Sequence, residues 1–359
     1  MIKVGVIGLG TVAQLMHLPI LGSLFDLFEI KAVYDASPSL TQFISRRYNA
    51  RQIKSVDDLV NDAEIDAVFV LSPDQYHAEH AKAALLAGKH VFIEKPVTLS
   101  PQDLQELINL EKQHPSQTCM VGYMRRFSRG FYKCAEQLTK EPREIEYMRL
   151  RDIILEGDFY IAQTKQPFIP ADISEEMKLA SARLRRAQIE QALGAGCSEQ
   201  QRISYQVLTG LGCHTLSAAR ELVGLPVEVK SVAVDGEHLV IVFQYPGFLA
   251  TYEVVNDQKI VQFDAAIEIY QKERYLYLKY ETPYLRYQPH TFTVVESDDN
   301  ETNTSLYGPD YHDAFEDELK YFYDCVVNNK KPKTSLEDSM HDLLLFKQIC
   351  NKIELGYPC

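Results

Sequence analysis

The chain reads as an α/β protein in two parts. Residues 1–122 predict a doubly wound, mostly parallel domain, and residues 123–359 an α+β domain on a large, mostly antiparallel open sheet. Three observations lead there. Short apolar runs alternate with helical patterns through the first third of the chain. A glycine-rich turn separates the first run from the first helix. Beyond residue 227, strand-length runs follow one another with no helix between them.

In the first part the strand runs are "IKVGVIG", "EIKAVYD", "DAVFVLS", "KHVFIEK" and "TCMVGY". Between them, Asp74 to Ala87 carries His77, Ala81, Ala84 and Leu85 at helical spacing. Pro101 starts another helix behind Ser100, a favoured N-cap, with Leu104, Leu107, Ile108 and Leu110 on its apolar side. Strands separated by helices imply right-handed crossovers and a parallel sheet.

In the second part the sequence predicts a helix over 125–138, a strand over 145–151 and a largely helical stretch over 174–223. Runs rich in Val, Ile, Phe and Tyr then fill 227–295, among them "HLVIVFQY" and "RYLYLKY", joined mostly by short turns. Helices over about 311–328 and 336–352 close the chain. One face of such a sheet is covered by helices. The other must meet something, and a second subunit fits best, so a homodimer or homotetramer is expected.

Composition narrows the classes of partner. Hydrophobic residues make up 46% and charged residues 24%, a globular mixture. The net charge of −13 argues against nucleic acid and anionic membranes, both of which need a positive surface. No run approaches a membrane span, and "MIKVGVIGLG" begins directly on a strand pattern, so no signal peptide is expected ahead of it. Seven cysteines without framework spacing suit reduced thiols and a cytoplasmic location.

The glycine turn is Gly8-x-Gly10-x-x-Ala13, followed by a helix from near Thr11 and Val12. Gly8 permits the tight turn, Gly10 admits a pyrophosphate to the backbone, and Ala13 lets helix and strand pack closely. Phosphates there would face the free N–H groups of a helix N-terminus. The next strand ends in Asp35, close to the distance of about 20 residues at which an acidic side chain meets the adenosine ribose. Asp35 would repel a 2′-phosphate, and "DASPSL" supplies no arginine or lysine, so NAD is preferred over NADP. The alternative for Asp35 is a turn-starting aspartate before Ser37 and Pro38.

The strand "DAVFVLS" ends in "LSPDQYH", which puts Ser72, Pro73 and His77 at the ribose–phosphate region. His77 alone reads as a surface histidine at a helix start. His77 and His80 have the spacing of a metal pair, but no third ligand is evident and no metal site is expected. The next strand ends in Glu94, Lys95 and Pro96, on the same edge. Lys95 then projects toward the nicotinamide, and Pro96 fixes the chain as it leaves the strand. A cis Lys–Pro bond would aim the side chain, and Glu94 would hold the ammonium or the nicotinamide ribose.

The motifs "GVIGLGTVA", "LSPDQYHAEHAKAALLAGKHVFIEKP", "MVGYMRRF", "GLGCHTLSAARELVG" and "FEDELKYFYDCVVNNKKPKTSLED" cover nearly the whole chain. Together they resemble the glucose–fructose oxidoreductase, inositol dehydrogenase and rhizopine-catabolism oxidoreductases (Gfo/Idh/MocA). The resemblance implies a Rossmann domain and a lysine in the EKP motif, here Lys95, that binds the reacting hydroxyl. It places the G-x-H motif on Gly212-Cys213-His214, with His214 the acid–base residue, and puts Tyr123 beside the substrate. Arg125 and Arg126 would serve substrate or structural ion pairs. The implied activity is an NAD-dependent dehydrogenase oxidising a secondary alcohol of a sugar or cyclitol.

The chain departs from that pattern. Where many such dehydrogenases carry an aspartate one turn before the histidine, Gly210 stands here, and Ser217 replaces another after it. Asp152, Glu156 and Asp158 are the candidate replacement carboxylates. The gap leaves a second reading open, a nucleotide-sensing regulator of the same fold, as in a galactose-pathway repressor of the family. A helical segment over 174–194 is a further departure, and its Arg183, Arg185 and Arg186 read as a solvated face.

Overall fold

The computed structural model describes residues 1–155, 157–164, 166–257, 260 and 262–353. Its strands are β1 (Ile2–Ile7), β2 (Phe28–Tyr34), β3 (Arg51–Gln52), β4 (Ala67–Val70), β5 (His90–Glu94), β6 (Cys119–Gly122) and β7 (Ile145–Ile154). There follow β8 (Glu228–Asp235), β9 (His238–Gln244), β10 (Leu249–Asn256), β11 (Asp264–Gln271), β12 (Arg274–Tyr280), β13 (His290–Ser297) and β14 (Thr302–Asp310). The helices are α1 (Leu18–Ser23), α2 (Pro38–Tyr48), α3 (Val56–Val60), α4 (His77–Leu86), α5 (Pro101–Gln113) and α6 (Arg129–Lys140). They continue with α7 (Gly157–Ala162), α8 (Glu175–Leu193), α9 (Glu199–Val207), α10 (Cys213–Val223), α11 (Ala314–Val327) and α12 (Leu336–Asn351).

Two compact units result. The first comprises Met1–Tyr123, Lys165–Ala195 and Glu318–Leu343, and the second Met124–Thr164, Gly196–Asp317 and Leu344–Cys359. In the first, six strands lie in the order β3-β2-β1-β4-β5-β6, all parallel. β4 and β6 are buried throughout, as strands covered on both faces are, which explains their unbroken apolar runs. Helix α2 starts where Ser37 accepts the Leu40 N–H and stops at Asn49, whose φ of 51° is left-handed.

Two later segments join this unit for identifiable reasons. Phe322 of α11 is fully buried against Phe69 and Phe92, with ring centroids 5.6 and 5.7 Å apart. The Val121 N–H donates to the Thr334 carbonyl at 2.8 Å, which covers the free edge of β6. Among the described residues no helix is long and apolar enough to cross a membrane, and the six described cysteines are free thiols.

The second unit is an eight-stranded sheet in the order β14-β13-β12-β11-β7-β10-β9-β8. β7 pairs with β10 in parallel and the other pairings are antiparallel. β7 runs on to Ile154 rather than stopping at Arg151 because β10 pairs with it as far as Ile154 and β11 as far as Ile153. The helix expected over 125–138 is instead a 3₁₀ turn, Met124–Phe127, and then α6, because Ser128 caps a new start by accepting the Phe131 N–H. One sheet face buries Met148, Leu150, Tyr252, Leu276 and Leu278 beneath α6 and α10. The opposite face carries half-buried Tyr147, Tyr275 and Tyr277, with Tyr270 38% exposed.

Candidate active site

The register of the first sheet sets where its loops emerge. Ile7 is level with Tyr34 on one side and Val70 on the other, and Val70 is level with Ile93. The glycine turn, Asp35, Ser72 and Lys95 therefore leave the sheet at one carboxyl edge. The strand order reverses there between β1 and β4, the place where such sheets form a ligand crevice.

Gly8 has a φ of +91°, and a Cβ there would collide with the backbone of Leu71 and Ser72. Only glycine lets the first turn sit against the end of β4. Gly10 is the opposite case, since a Cβ on it would meet nothing within 4 Å. That open backbone, at the start of a helix running from Thr11, fits a pyrophosphate. Val12 is exposed, Ala13 is buried against the sheet, and Ala13–His17 forms a π turn leading into α1.

Asp35 Oδ2 accepts the Leu9 N–H and Oδ1 the Ser37 N–H, both at 2.8 Å. The turn-starting role and the link to the glycine loop therefore coexist in one carboxylate. Burial raises its pKa above the usual carboxylate value. The two N–H groups oppose that rise, and the charge of Asp172 adds to it.

His77 is buried, only 2% exposed, so the surface reading of this residue is corrected. Its Nδ1 lies 2.7 Å from the Pro96 carbonyl oxygen and its Nε2 2.5 Å from that of Ser72. Both partners are acceptors, so both bonds form only when each ring nitrogen carries a hydrogen. The imidazole thus ties the end of β4 to the turn after β5. His80 bonds the Ser72 hydroxyl at 2.8 Å, and burial followed by the charge of His77 lowers its pKa to about 4. Among the described residues no group of three or more His, Cys, Asp or Glu side chains is placed to hold a metal ion.

Glu94 is engaged on both of its oxygens. Its Oε1 meets His17 Nε2 at 2.6 Å and its Oε2 accepts the Lys95 N–H at 3.0 Å. Burial opposes ionisation of Glu94, but the His17 bond and the charges of His17, Lys95 and His77 outweigh it. The net effect lowers its pKa. Lys95 is half-buried and its bond to Pro96 is cis. Glu94 therefore fixes the backbone that presents the lysine.

A segment with no motif fastens onto this edge. Gln14 donates to the Phe168 carbonyl and accepts the Phe168 N–H, at 3.0 and 2.8 Å. Phe168 stacks on Phe43 of α2 with ring centroids 4.8 Å apart. Asp172 reaches Ser37 and Ser39. From α8, Arg185 pairs with Asp74 at 2.8 Å, Gln188 donates to the Gln75 carbonyl and Ser181 bonds the Gln75 side chain. The loops after β1, β2 and β4 are all held by residues 168–188. Arg185 is thus an ion-pair partner of the crevice rather than part of a solvated face. Arg186 pairs within its own helix, with Glu190.

In the second unit, His214 is the half-buried second residue of α10, and a π turn, Leu208–Gly212, leads into it. The Ser217 hydroxyl donates to the His214 carbonyl. Gly210 is exposed, and a Cβ there would meet nothing within 4 Å. Asp152 is fully buried and committed, accepting from Arg125 Nη1 and from the Tyr252 hydroxyl, each at 2.6 Å. Arg125 also donates to Thr215, the neighbour of His214, and Arg126 pairs with Glu221. Both arginines are structural ion-pair donors. Tyr123 is 2% exposed, and Asp158 lies in α7. Glu156 lies outside the described residues.

His17, Gln14 and Asp172 had no signature in the sequence. Each is a single polar residue whose partner lies 77 to 154 positions away, or in a loop with no motif.

The first sheet and its carboxyl edge define a dinucleotide-binding Rossmann domain with a lysine at the end of its fifth strand. Residues 2–123 match the family model described as "Oxidoreductase family, NAD-binding Rossmann fold". It is 35% identical over 135 residues to inositol 2-dehydrogenase 3 of Saccharopolyspora erythraea, covering 38% of this chain and 40% of that protein. It is 31% identical over 132 residues to the inositol 2-dehydrogenase of Salmonella paratyphi B, covering 36% and 39%. The chain thus spans about 40% of the length of the curated relatives it matches. The fold as a whole is similar to a 3-ketoreductase from Actinomadura kijaniata solved with NADP and TDP-benzene. That match has a TM-score of 0.73 at 19% identity and covers 98% of this chain and 97% of that one. UDP-N-acetylglucosamine 3-dehydrogenase from Acidithiobacillus ferrooxidans gives 0.72 at 18%, with the same coverage.

Proposed function

We propose that this chain is an NAD-dependent oxidoreductase acting on a secondary alcohol of a sugar- or cyclitol-like small molecule. The observation that carries the reading is one sheet edge presenting the open glycine turn, Asp35 and the Lys95–Pro96 turn together. The relatives named inositol 2-dehydrogenases support the substrate class. In this reading residues 1–122 bind the cofactor, with Gly8, Gly10, Thr11, Val12 and Ala13 at the pyrophosphate. Asp35 serves the adenosine ribose, and Ser72, Pro73, His77 and Glu94 shape the remaining edge. Residues 123–359 bind substrate and hold subunits together.

When bound, the nicotinamide accepts the hydride. Lys95 or His214 takes the proton of the reacting hydroxyl. A lysine serves as base where burial and a neighbouring cation lower its proton affinity. His77 and Glu94 hold the turn that carries Lys95, each through a backbone group. Gly210 supplies no carboxylate and Asp152 is tied to Arg125, so either Lys95 bears more of the proton transfer or a carboxylate from elsewhere serves His214. Gly210 slightly favours the second reading, a nucleotide-sensing regulator of this fold, while the intact Glu94-Lys95-Pro96 and His214 disfavour it more.

A screen of purified protein over polyols, sugars and sugar derivatives, followed by NADH absorbance, separates the two. Turnover with at least one of them is expected, and binding without turnover across the set favours the sensor. Titration should show NAD binding more tightly than NADP, with Asp35→Ser narrowing the gap. Equal affinities in the parent protein would remove Asp35 from the argument.

The exposed sheet face supports assembly. Tyr147, Tyr270, Tyr275 and Tyr277 lie on it beside the Arg149–Glu253 pair, more aromatic surface than a solvated face usually keeps. Light scattering should report a dimer or tetramer, and a lone 41.0 kDa species at micromolar concentration would count against it.

A further inference from the structure

The residues around the start of α2 leave little for a phosphate to bind. Ser37 N–H goes to Asp35, Pro38 has none, Ser39 N–H goes to Asp172 at 2.8 Å, and Leu40 N–H goes to the Ser37 hydroxyl. The Ser37 hydroxyl itself donates to Asp172 Oδ1 at 2.5 Å. A helix start next to the ribose carboxylate is where the 2′-phosphate of NADP would find N–H and hydroxyl donors. Here a carboxylate from 133 residues further along the chain already sits on them.

We propose that Asp172 is a second determinant of NAD over NADP, acting with Asp35. The inference rests on the dinucleotide reading of this edge and deepens it. Two carboxylates flank Ser37, one just after β2 and one from the segment that clasps the edge, and they sense each other: the charge of Asp172 raises the Asp35 pKa. Asp172 is itself held ionised, its pKa lowered first by the Ser37 hydroxyl and then by the Ser39 N–H. A 2′-phosphate would have to displace Asp172 from these donors and then lie beside both charges. The 2′-hydroxyl of NAD needs only an acceptor, which Asp35 provides. No arginine or lysine among residues 35–40 offsets the repulsion.

Calorimetric titration of the full-length protein with NAD and NADP tests this in the parent, Asp172→Asn, Asp172→Ala and Asp35→Ser. Asp172→Asn keeps an acceptor for Ser39 and removes only the charge, whereas Asp172→Ala also empties the seat. Each should tighten NADP by about 10-fold, the scale of one screened charge, and leave NAD within about threefold. The gain should shrink as salt rises. If Asp35→Ser narrows the NADP-to-NAD ratio while both Asp172 variants leave it unchanged, the proposal is wrong and the NAD reading stands. If the parent binds NADP as tightly as NAD, or binds neither, the NAD reading fails and the proposal falls with it.

Discussion

Lys95→Ala is expected to lower turnover by about 100-fold or more, the usual scale for loss of a general acid–base group. NAD affinity should change little, because in the proposed reading the open backbone at Gly10 and the helix start at Thr11, not this side chain, hold the phosphates. Lys95→Arg should be nearly as damaging, since a guanidinium keeps its proton throughout the working pH range. His214→Ala should be the milder change. Its imidazole lacks a carboxylate at Gly210, and Asp152 is occupied by Arg125 and Tyr252. Gly210→Asp has room for its side chain, and it should make the His214→Ala loss larger by placing a carboxylate one turn before the imidazole. Rates over the substrate set, paired with NAD titrations, check the order. Equal losses from Lys95→Ala and His214→Ala would mean that another carboxylate serves the histidine. No loss from either would remove both from catalysis and favour the sensor.

The parts of this edge that the sequence exposed are those with local grammar. Periodicity over Asp74 to Ala87 marked His77, Ala81, Ala84 and Leu85, and the same four face inward in α4. Gly8 is required by a positive φ and a close approach, a constraint that leaves a glycine in the sequence. The acidic residue after β2 likewise has a fixed distance from the turn. The tethers are a different kind of information. Asp172, Phe168 and Arg185 lie in a segment whose composition resembles any polar helix and its leader, and their partners follow from how that segment crosses the sheet edge. His77 shows the limit most plainly. Its position was legible, but its burial was not, because two carbonyl partners from separate loops are invisible to spacing.

The buried group Asp152, Arg125, Tyr252 and Thr215 should show the largest stability effect in the second unit. Asp152 is 0% exposed and Arg125 6%, so each depends on the other for compensation of its charge. The guanidinium also lies 4.9 Å from the Tyr280 ring centroid, and burial together with the Asp152 charge drives the Tyr252 pKa well up. Asp152→Ala leaves the guanidinium buried without its anion, and Arg125→Met does the converse. Each is expected to cost about 3–5 kcal/mol, the range for breaking a buried pair from one side. In a unit of this size that corresponds to a Tm roughly 10 °C lower, or to a lower denaturant midpoint at unchanged slope. Replacing both, Asp152→Leu with Arg125→Met, should be less destabilising than either single change, because no uncompensated charge remains. A double variant as unstable as the sum of the singles would show that packing rather than charge pairing dominates. Arg125 also bonds Thr215, which precedes Leu216 in the turn of α10 that begins with Cys213 and His214. Asp152→Asn, which keeps the shape and gives up the charge, should therefore lower turnover by a larger factor than the loss of folded protein alone explains.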